Sequence, residues 1–318
     1  MTSLHHPIEY AFESGVSFSP NERVQLSSSI PILSTQTKRK RLVLWGKISG
    51  YKADYIIVEA YDDDAVAEPE IYYTLDEGRS FNLLGTFSSV FAACPGYVNG
   101  SGIEQAEWKQ SVLLGMRGPF MGDPAYEYRV AVDPSHPATT QSVKESVRLA
   151  LFMEEFDHEC RVVPRGAYVK AERQPTATVA ASTGNGGATV ERAQIRCNTA
   201  FNGLARTADG ALTLRNYYHL RAQDPYRRLL ARNQNALFTK SALEQLSEHP
   251  LVDAVFEPLT EDIPSGTWEL RYDAFHDVMI GKNIRFAGSL FYHVPETSVY
   301  GSLYMGDGNI NVNTAFEL

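Results

Sequence analysis

The sequence predicts an α+β protein: an antiparallel sheet with β-hairpins near the N-terminus and at the C-terminus, and helices between them. Three observations carry this. Arg41–Tyr61, RLVLWGKISGYKADYIIVEAY, holds two runs rich in Val, Ile, Leu, Trp and Tyr around a short polar turn with Gly50, Lys52 and Asp54. At the other end, Gly288–Val294 and Val299–Met305 flank a turn through Pro295–Ser298. Between them Thr140–Asp157 has helical spacing, with Val143, Val147 and Leu151 on one stripe beside Leu149, Phe152 and Phe156.

The first hairpin is the expected nucleus. Leu42, Leu44, Gly46 and Ile48 alternate with Val43, Trp45 and Lys47, then Tyr55, Ile57 and Glu59 alternate with Ile56, Val58 and Ala60. Both faces are mostly apolar, which predicts a sheet covered on both sides and a core position for Trp45. Gly46, lacking a side chain, leaves room for a neighbouring backbone or ring to approach.

Upstream, Ser19-Pro20-Asn21-Glu22 is a helix start, with Ser as N-cap, Pro at the first position and Glu at the third. Val24, Leu26 and Ile30 supply apolar positions, and Pro31 is expected to stop the helix. Downstream, residues 71–84 read as a strand, a glycine turn and a further extended piece. Ser88–Lys109 dissolves into small residues and reads as an extended loop. Gly115–Val130, GMRGPFMGDPAYEYRV, reads as a turn-rich crossing that enters a strand. Arg161–Val163 and Ala167–Lys170 are extended pieces about a turn at Pro164-Arg165-Gly166. RQPTATVAASTGNGGA, within 172–188, lacks bulky apolar groups and is expected to be a mobile insertion that adds little stability. Thr213–Arg221 and Lys240–Glu248 read as helices, and Ile263–Gly266 turns into a strand over Thr267–Tyr272. In this division residues 1–40 form an N-terminal helical arm and link. Residues 41–318 form the α+β domain, with insertions at about 88–112 and 172–195.

Composition narrows the function. The chain has 318 residues and a net charge of −9, which argues against nucleic acid as a main partner because phosphate binding needs a basic footprint. The run Lys38-Arg39-Lys40-Arg41 goes against that charge and reads as a solvated stretch, with a localisation signal or acidic-partner patch as the alternative. Cys94, Cys160 and Cys197 are odd in number and far apart, so no disulfide framework is expected and a reducing compartment fits. The N-terminus lacks the pattern of a signal peptide, and no apolar run approaches the roughly 20 residues of a membrane span. A soluble, intracellular chain without membrane contact is expected, which leaves the sequon-like Asn99-Gly100-Ser101 without a role.

A search for chemistry names no catalytic residue, cofactor site or metal site. There is no GxSxG, HExxH or GxGxxG pattern, and the glycines of 115–122 lack the GxxxxGK[ST] of a phosphate loop. Asp62-Asp63-Asp64 lacks the spaced ligands of a calcium loop. His158 and Cys160, with Cys197, supply too few ligands for structural zinc. His219 and His293 stand beside aromatic residues and read as packing histidines. Glu154 and Glu155 are adjacent on a helix and diverge. A non-enzymatic binding or structural protein is the expectation; the rivals are a free-standing peptide-binding module with an exposed sheet edge and a hydrolase, which would need a deep pocket with converging polar groups.

Several blocks carry a family resemblance. LWGKISGYKADYIIVEA (44–60) resembles the hairpin shared by axonemal radial spoke head proteins. GPFMGDPAYEY (118–128), VVPRGAYVK (162–170), CNTAFNGLARTADGALTLRNYYHLR (197–221), EDIPSGTWEL (261–270) and residues 288–318 follow in the same order as in the radial spoke head protein nine family. Spoke head proteins four and six share the hairpin but are usually much longer, with an acidic tail. The resemblance implies a structural, cofactor-free component of the radial spoke head in the axoneme of a cilium or flagellum. It further implies spoke head proteins four and six and the spoke scaffold protein as partners, and a part in signalling between the central pair and the dynein-bearing doublets.

Overall fold

The two predicted hairpins meet in one sheet. A computed structural model describes residues 17–39, 41–62, 67–94, 102–131, 140–170, 195–221, 255–262 and 264–317, with residues 9 and 97 besides. In chain order these form α1 (Pro20–Thr37), β1 (Arg41–Ile48), β2 (Tyr55–Tyr61), β3 (Glu70–Thr74), β4 (Asn82–Gly85), α2 (Phe87–Ala92) and α3 (Gly102–Gly115). Then come β5 (Glu127–Ala131), β6 (Thr140–Lys144), α4 (Glu145–Cys160), β7 (Val162–Pro164), β8 (Tyr168–Lys170), β9 (Ile195–Cys197), β10 (Tyr217–Leu220) and β11 (Phe256–Pro258). The chain closes with β12 (Trp268–Asp273), β13 (Val278–Asn283), β14 (Ser289–His293), β15 (Tyr300–Gly306) and α5 (Thr314–Glu317). The α+β architecture with a hairpin toward each end is as the sequence predicts.

The main sheet has eight strands in the order β12-β13-β14-β15-β1-β2-β3-β4. Each half is an antiparallel meander, and the two halves join through a parallel pair in which Gly46, Lys47 and Ile48 face Tyr304, Met305 and Gly306. Both faces are covered. On one, Leu26, Ile30 and Leu33 of α1 meet Leu44, Ile56, Val58, Ile280 and Leu303. On the other, α4 brings Leu149, Phe152 and Phe156 against Trp45, Ile57, Phe291 and Tyr304. The other described strands form three smaller sheets, β11-β10-β7, β5-β6 and β8-β9.

The alternation along β1 differs from the predicted one beyond Leu44. The register with β2 slips between Leu44 and Gly46, leaving Trp45 as a bulge. The extra residue reverses the faces: Ile48 joins Trp45 on the α4 side, and Lys47 turns to the α1 side. Gly46 has φ +145°, and a Cβ there would lie 2.0 Å from the Tyr304 carbonyl oxygen. The close neighbour expected at Gly46 is therefore the backbone of β15.

Other expectations are corrected by packing. Helix α1 keeps its predicted capping box, Ser19 Oγ accepting from Glu22 N (3.1 Å) and Glu22 Oε2 from Ser19 N (2.7 Å). Yet it runs through Pro31 to Thr37, because Ile30 and Leu33 on either side bury against the sheet. Val24, predicted apolar contact, is 65% exposed. Thr140–Lys144 is strand, not the first turn of a helix: Val143 pairs with Tyr128 of β5, and α4 begins at Glu145. Thr213–Arg221 is a short 3₁₀ turn followed by β10, held between β7 and β11. The predicted loop 88–109 contains the end of α2 and much of α3; Trp108, Val112 and Met116 bury at four-residue spacing. The low-complexity segment in 172–188 and the predicted helix Lys240–Glu248 lie outside the described residues.

Trp45 sits in the core, as predicted. It is 3% exposed, its ring lies 5.0 Å from Phe156 and 5.4 Å from Tyr304, and its Nε1 donates to Asp157 Oδ1 at 2.8 Å. Trp45→Ala is expected to lower stability by about 3–5 kcal/mol. A denaturant midpoint unchanged from wild type would show instead that the indole adds nothing to the core.

Candidate functional site

Buried polar clusters, each joining segments distant in sequence, are the candidate functional features. The first opens at the N-terminus of α4. Glu145 is fully buried, and its carboxylate accepts from the backbone N–H of Met121 (2.7 Å) and Asp123 (2.9 Å). It also accepts from the hydroxyls of Tyr55 (2.8 Å) and Tyr128. A carboxylate in the first turn complements the helix dipole. The Tyr128 hydroxyl is pushed up to about 12 by burial and its bond to Glu145, so it remains a donor.

One turn along, Arg148 donates to the carbonyls of Gly118 (2.5 Å) and Pro119 (3.3 Å), and its guanidinium lies 4.0 Å over the Phe120 ring. Glu145 and Arg148 thus both bind the backbone of the glycine-rich turn. That turn in turn holds the tip of the β1–β2 hairpin: Tyr51 N donates to Phe120 O (2.7 Å) and Lys52 N to Met121 O (3.0 Å). Gly122 has φ +73°, and a Cβ there would meet the Ala53 carbonyl oxygen at 2.2 Å. The glycines serve a backbone clasp.

The second cluster lies under Trp45. Burial, then the neighbouring Glu59, raises the Asp157 carboxyl well above its ordinary range. Glu59 Oε1 is buried beside it. Glu59 Oε2 accepts from Tyr61 (2.6 Å), and the guanidinium groups of Arg41 (4.9 Å) and Arg161 (4.8 Å) both approach the Tyr61 ring.

The third surrounds His219, which is packed as predicted but not by rings alone. Its Nε2 lies 2.8 Å from Asp262 Oδ1, and Trp268 Nε1 donates to Asp262 Oδ2 at 2.8 Å. Arg221 is ion-paired with Glu257 and donates to the His158 carbonyl (3.1 Å). His293 is a neutral link: Nδ1 faces the Val299 carbonyl (3.1 Å) while Nε2 accepts from Leu204 N (3.3 Å). Burial lowers its pKa.

The remaining sequence candidates are dispersed. Cys160 is buried, its thiol pushed up by burial, whereas Cys197 is exposed and lies 3.5 Å from Arg41 Nη1. Among the described residues no group of three or more His, Cys, Asp or Glu is placed to hold a metal. Glu154 pairs with Lys109 (2.8 Å) and Glu155 with Arg285 (3.1 Å), diverging as predicted. The basic run is not simply solvated: Arg39 is ion-paired with Asp62 and Glu70, and Arg41 reaches the Tyr168 hydroxyl (3.4 Å). Lys38 is an exposed, left-handed C-cap.

A cleft of about 290 Å³ lies between α3, the start of α4 and residues 308–312. Its walls are Leu113, Met116, Ile310 and Val312, with Arg117 and Arg148 as the charged groups. Among the described residues its lining holds no acid, nucleophile or imidazole. The buried carboxylates Glu145 and Glu59 face backbone and hydroxyl groups, an arrangement that fixes segments in place.

Two consequences can be measured. Glu145→Ala strands two buried N–H groups and two tyrosine hydroxyls and is expected to cost about 3–5 kcal/mol in a denaturant melt; a loss below about 1 kcal/mol would deny the clasp. His293 resists protonation when folded but takes a proton at its ordinary value of 6.5 when unfolded. Its contribution is whole above that pH and is lost as pH falls from there toward the lowered folded value. The melting temperature of wild type should therefore fall more steeply below about pH 6.5 than that of His293→Gln, which retains one donor and one acceptor. Parallel curves would refute this.

Comparison with known proteins points one way. The family model for radial spokehead-like proteins matches residues 2–79, which span α1 and the first three strands. The chain is 31% identical to radial spoke head protein 9 homolog of Danio rerio over 324 aligned residues, covering 99% of each chain. It is 27% identical to the Homo sapiens homolog and 28% to that of Xenopus tropicalis, again over 99% of each. The likeness runs through both meanders and the clusters between them, and on that end-to-end identity the chain belongs to the radial spoke head protein 9 family, a family of structural radial spoke head components.

Proposed function

We propose that this chain is a non-enzymatic structural component of the axonemal radial spoke head, supporting head assembly and mechanical signalling between the central pair and the dynein-bearing doublets. The observation that carries this is the end-to-end identity with radial spoke head protein 9 homologs. The architecture supports it physically. A load applied along the sheet passes through hydrogen-bonded strands, and the parallel junction of β1 with β15 connects segments from opposite ends of the chain. The buried clusters at Glu145 and Asp157 cross-brace that sheet to α4. Spoke head proteins four and six and the spoke scaffold protein are the proposed partners.

Fractionation of cilia or flagella tests the proposal. The protein should stay with the salt-resistant axoneme after detergent extraction and be scarce in the soluble matrix. Recovery mainly in the matrix, or in cells without motile cilia, would count decisively against it.

A further inference from the structure

The eight-stranded sheet ends in two unlike edges. At one, β4 is four residues long and its pairing with β3 is bulged between Ile71 and Tyr72, features that protect an edge from further pairing. At the other, β12 is six residues long and pairs in unbroken register with β13, from Trp268 opposite Asn283 to Asp273 opposite Val278. It contains neither proline nor glycine. Among the described residues β13 is its sole hydrogen-bonded strand neighbour. Its side chains alternate: Glu269 and Arg271 are exposed on one face, and Trp268, Leu270 and Tyr272 lie on the other.

This pattern is self-complementary. When two copies of one strand pair antiparallel about a two-fold axis centred on Leu270, Glu269 of each copy stands opposite Arg271 of the other. On the second face Leu270 meets Leu270, and Trp268 meets Tyr272, so apolar groups oppose apolar groups. Two-fold registers centred instead on Glu269 or on Arg271 set like charges against each other. In the Leu270 register Glu269 also keeps Lys282, its neighbour across β13. Just beyond the strand, Phe275 is 89% exposed on a turn braced by Asp273, which accepts from Phe275 N at 2.9 Å. The ring adds apolar surface beside the same edge.

We propose that the β12 edge joins two copies of this chain in an antiparallel, two-fold pairing centred on Leu270. A six-residue edge offers less area than the roughly 1,200–2,000 Å² of stable interfaces, so the dimer is weak and depends on concentration.

Sedimentation velocity on the purified full-length chain tests this without reference to its place in the cell, so the outcome stands apart from the spoke-head proposal. Wild type should dimerise in the micromolar range. Glu269→Arg and Arg271→Glu should each weaken the dimer by about tenfold, because symmetry repeats each change. The double variant Glu269→Arg with Arg271→Glu restores opposite charges and should recover dimerisation. Both positions are exposed, and melting curves confirm that the variants fold. A wild type that stays monomeric overturns the proposal. So does a dimer indifferent to single reversals, or a double variant that fails to recover what the singles lost.

Discussion

The structure depends on one local constraint, the bulge at Trp45 and the bare backbone of Gly46 beside it. Because Gly46 has no Cβ, the Tyr304 carbonyl can approach within a distance that any side chain would forbid. That approach allows β15 to pair with β1 and so makes one sheet from two meanders. The bulged residue also reverses the faces of the strand. Trp45 is sent into the aromatic layer of Phe152, Phe156 and Tyr304, while Lys47 turns to the opposite side. There Lys47 Nζ meets Glu22 Oε1 at 2.7 Å and Asp54 Oδ2 at 2.9 Å. A single extra residue thus directs the docking of α4 on one face and α1 on the other.

Electrostatics follow from that geometry. A buried ion or carboxylate is tolerated when its remaining hydrogen-bonding capacity is filled. Glu22 shows this economy, since the carboxylate that closes the capping box of α1 also anchors Lys47. Glu145 is filled by four donors from the glycine-rich turn, β2 and β5. Asp157 is accommodated differently, its carboxyl raised well above its ordinary range by burial and by Glu59 beside it. Each solution joins segments distant in sequence.

Where sequence reasoning missed, the deciding contact was remote. Thr140–Lys144 has apolar Val143 at a position compatible with helix or strand, and only pairing with Tyr128 selects the strand. Tyr217 and Tyr218 fit a helix by spacing. They form a strand because β7 and β11 flank them and the Tyr217 ring packs 5.0 Å from Phe291. Pro31 should end a helix in isolation, but burial of Ile30 and Leu33 carries α1 past it. The polar clusters left weaker traces still. Glu145 is one acid among many in the sequence, and the glycines of 118–122 announce a turn without saying what it clasps.

The sequence by itself determined what short-range physics can determine. Alternating β-branched and aromatic runs about turn residues specify the two hairpins, and Ser19 with Glu22 specifies the start of α1. The order of its sequence blocks, from LWGKISGYKADYIIVEA at 44–60 to residues 288–318, likewise carries the resemblance to spoke head proteins. Only the tertiary structure decided that β1 and β15 join in parallel, that the faces reverse at Trp45, and that Glu145 is the buried acceptor of four donors. The reason is that hairpins and caps are made by neighbours in the chain, whose residue types can be read in place. A junction between opposite ends of the chain is chosen by which backbone can approach which, and that depends on every layer packed around it.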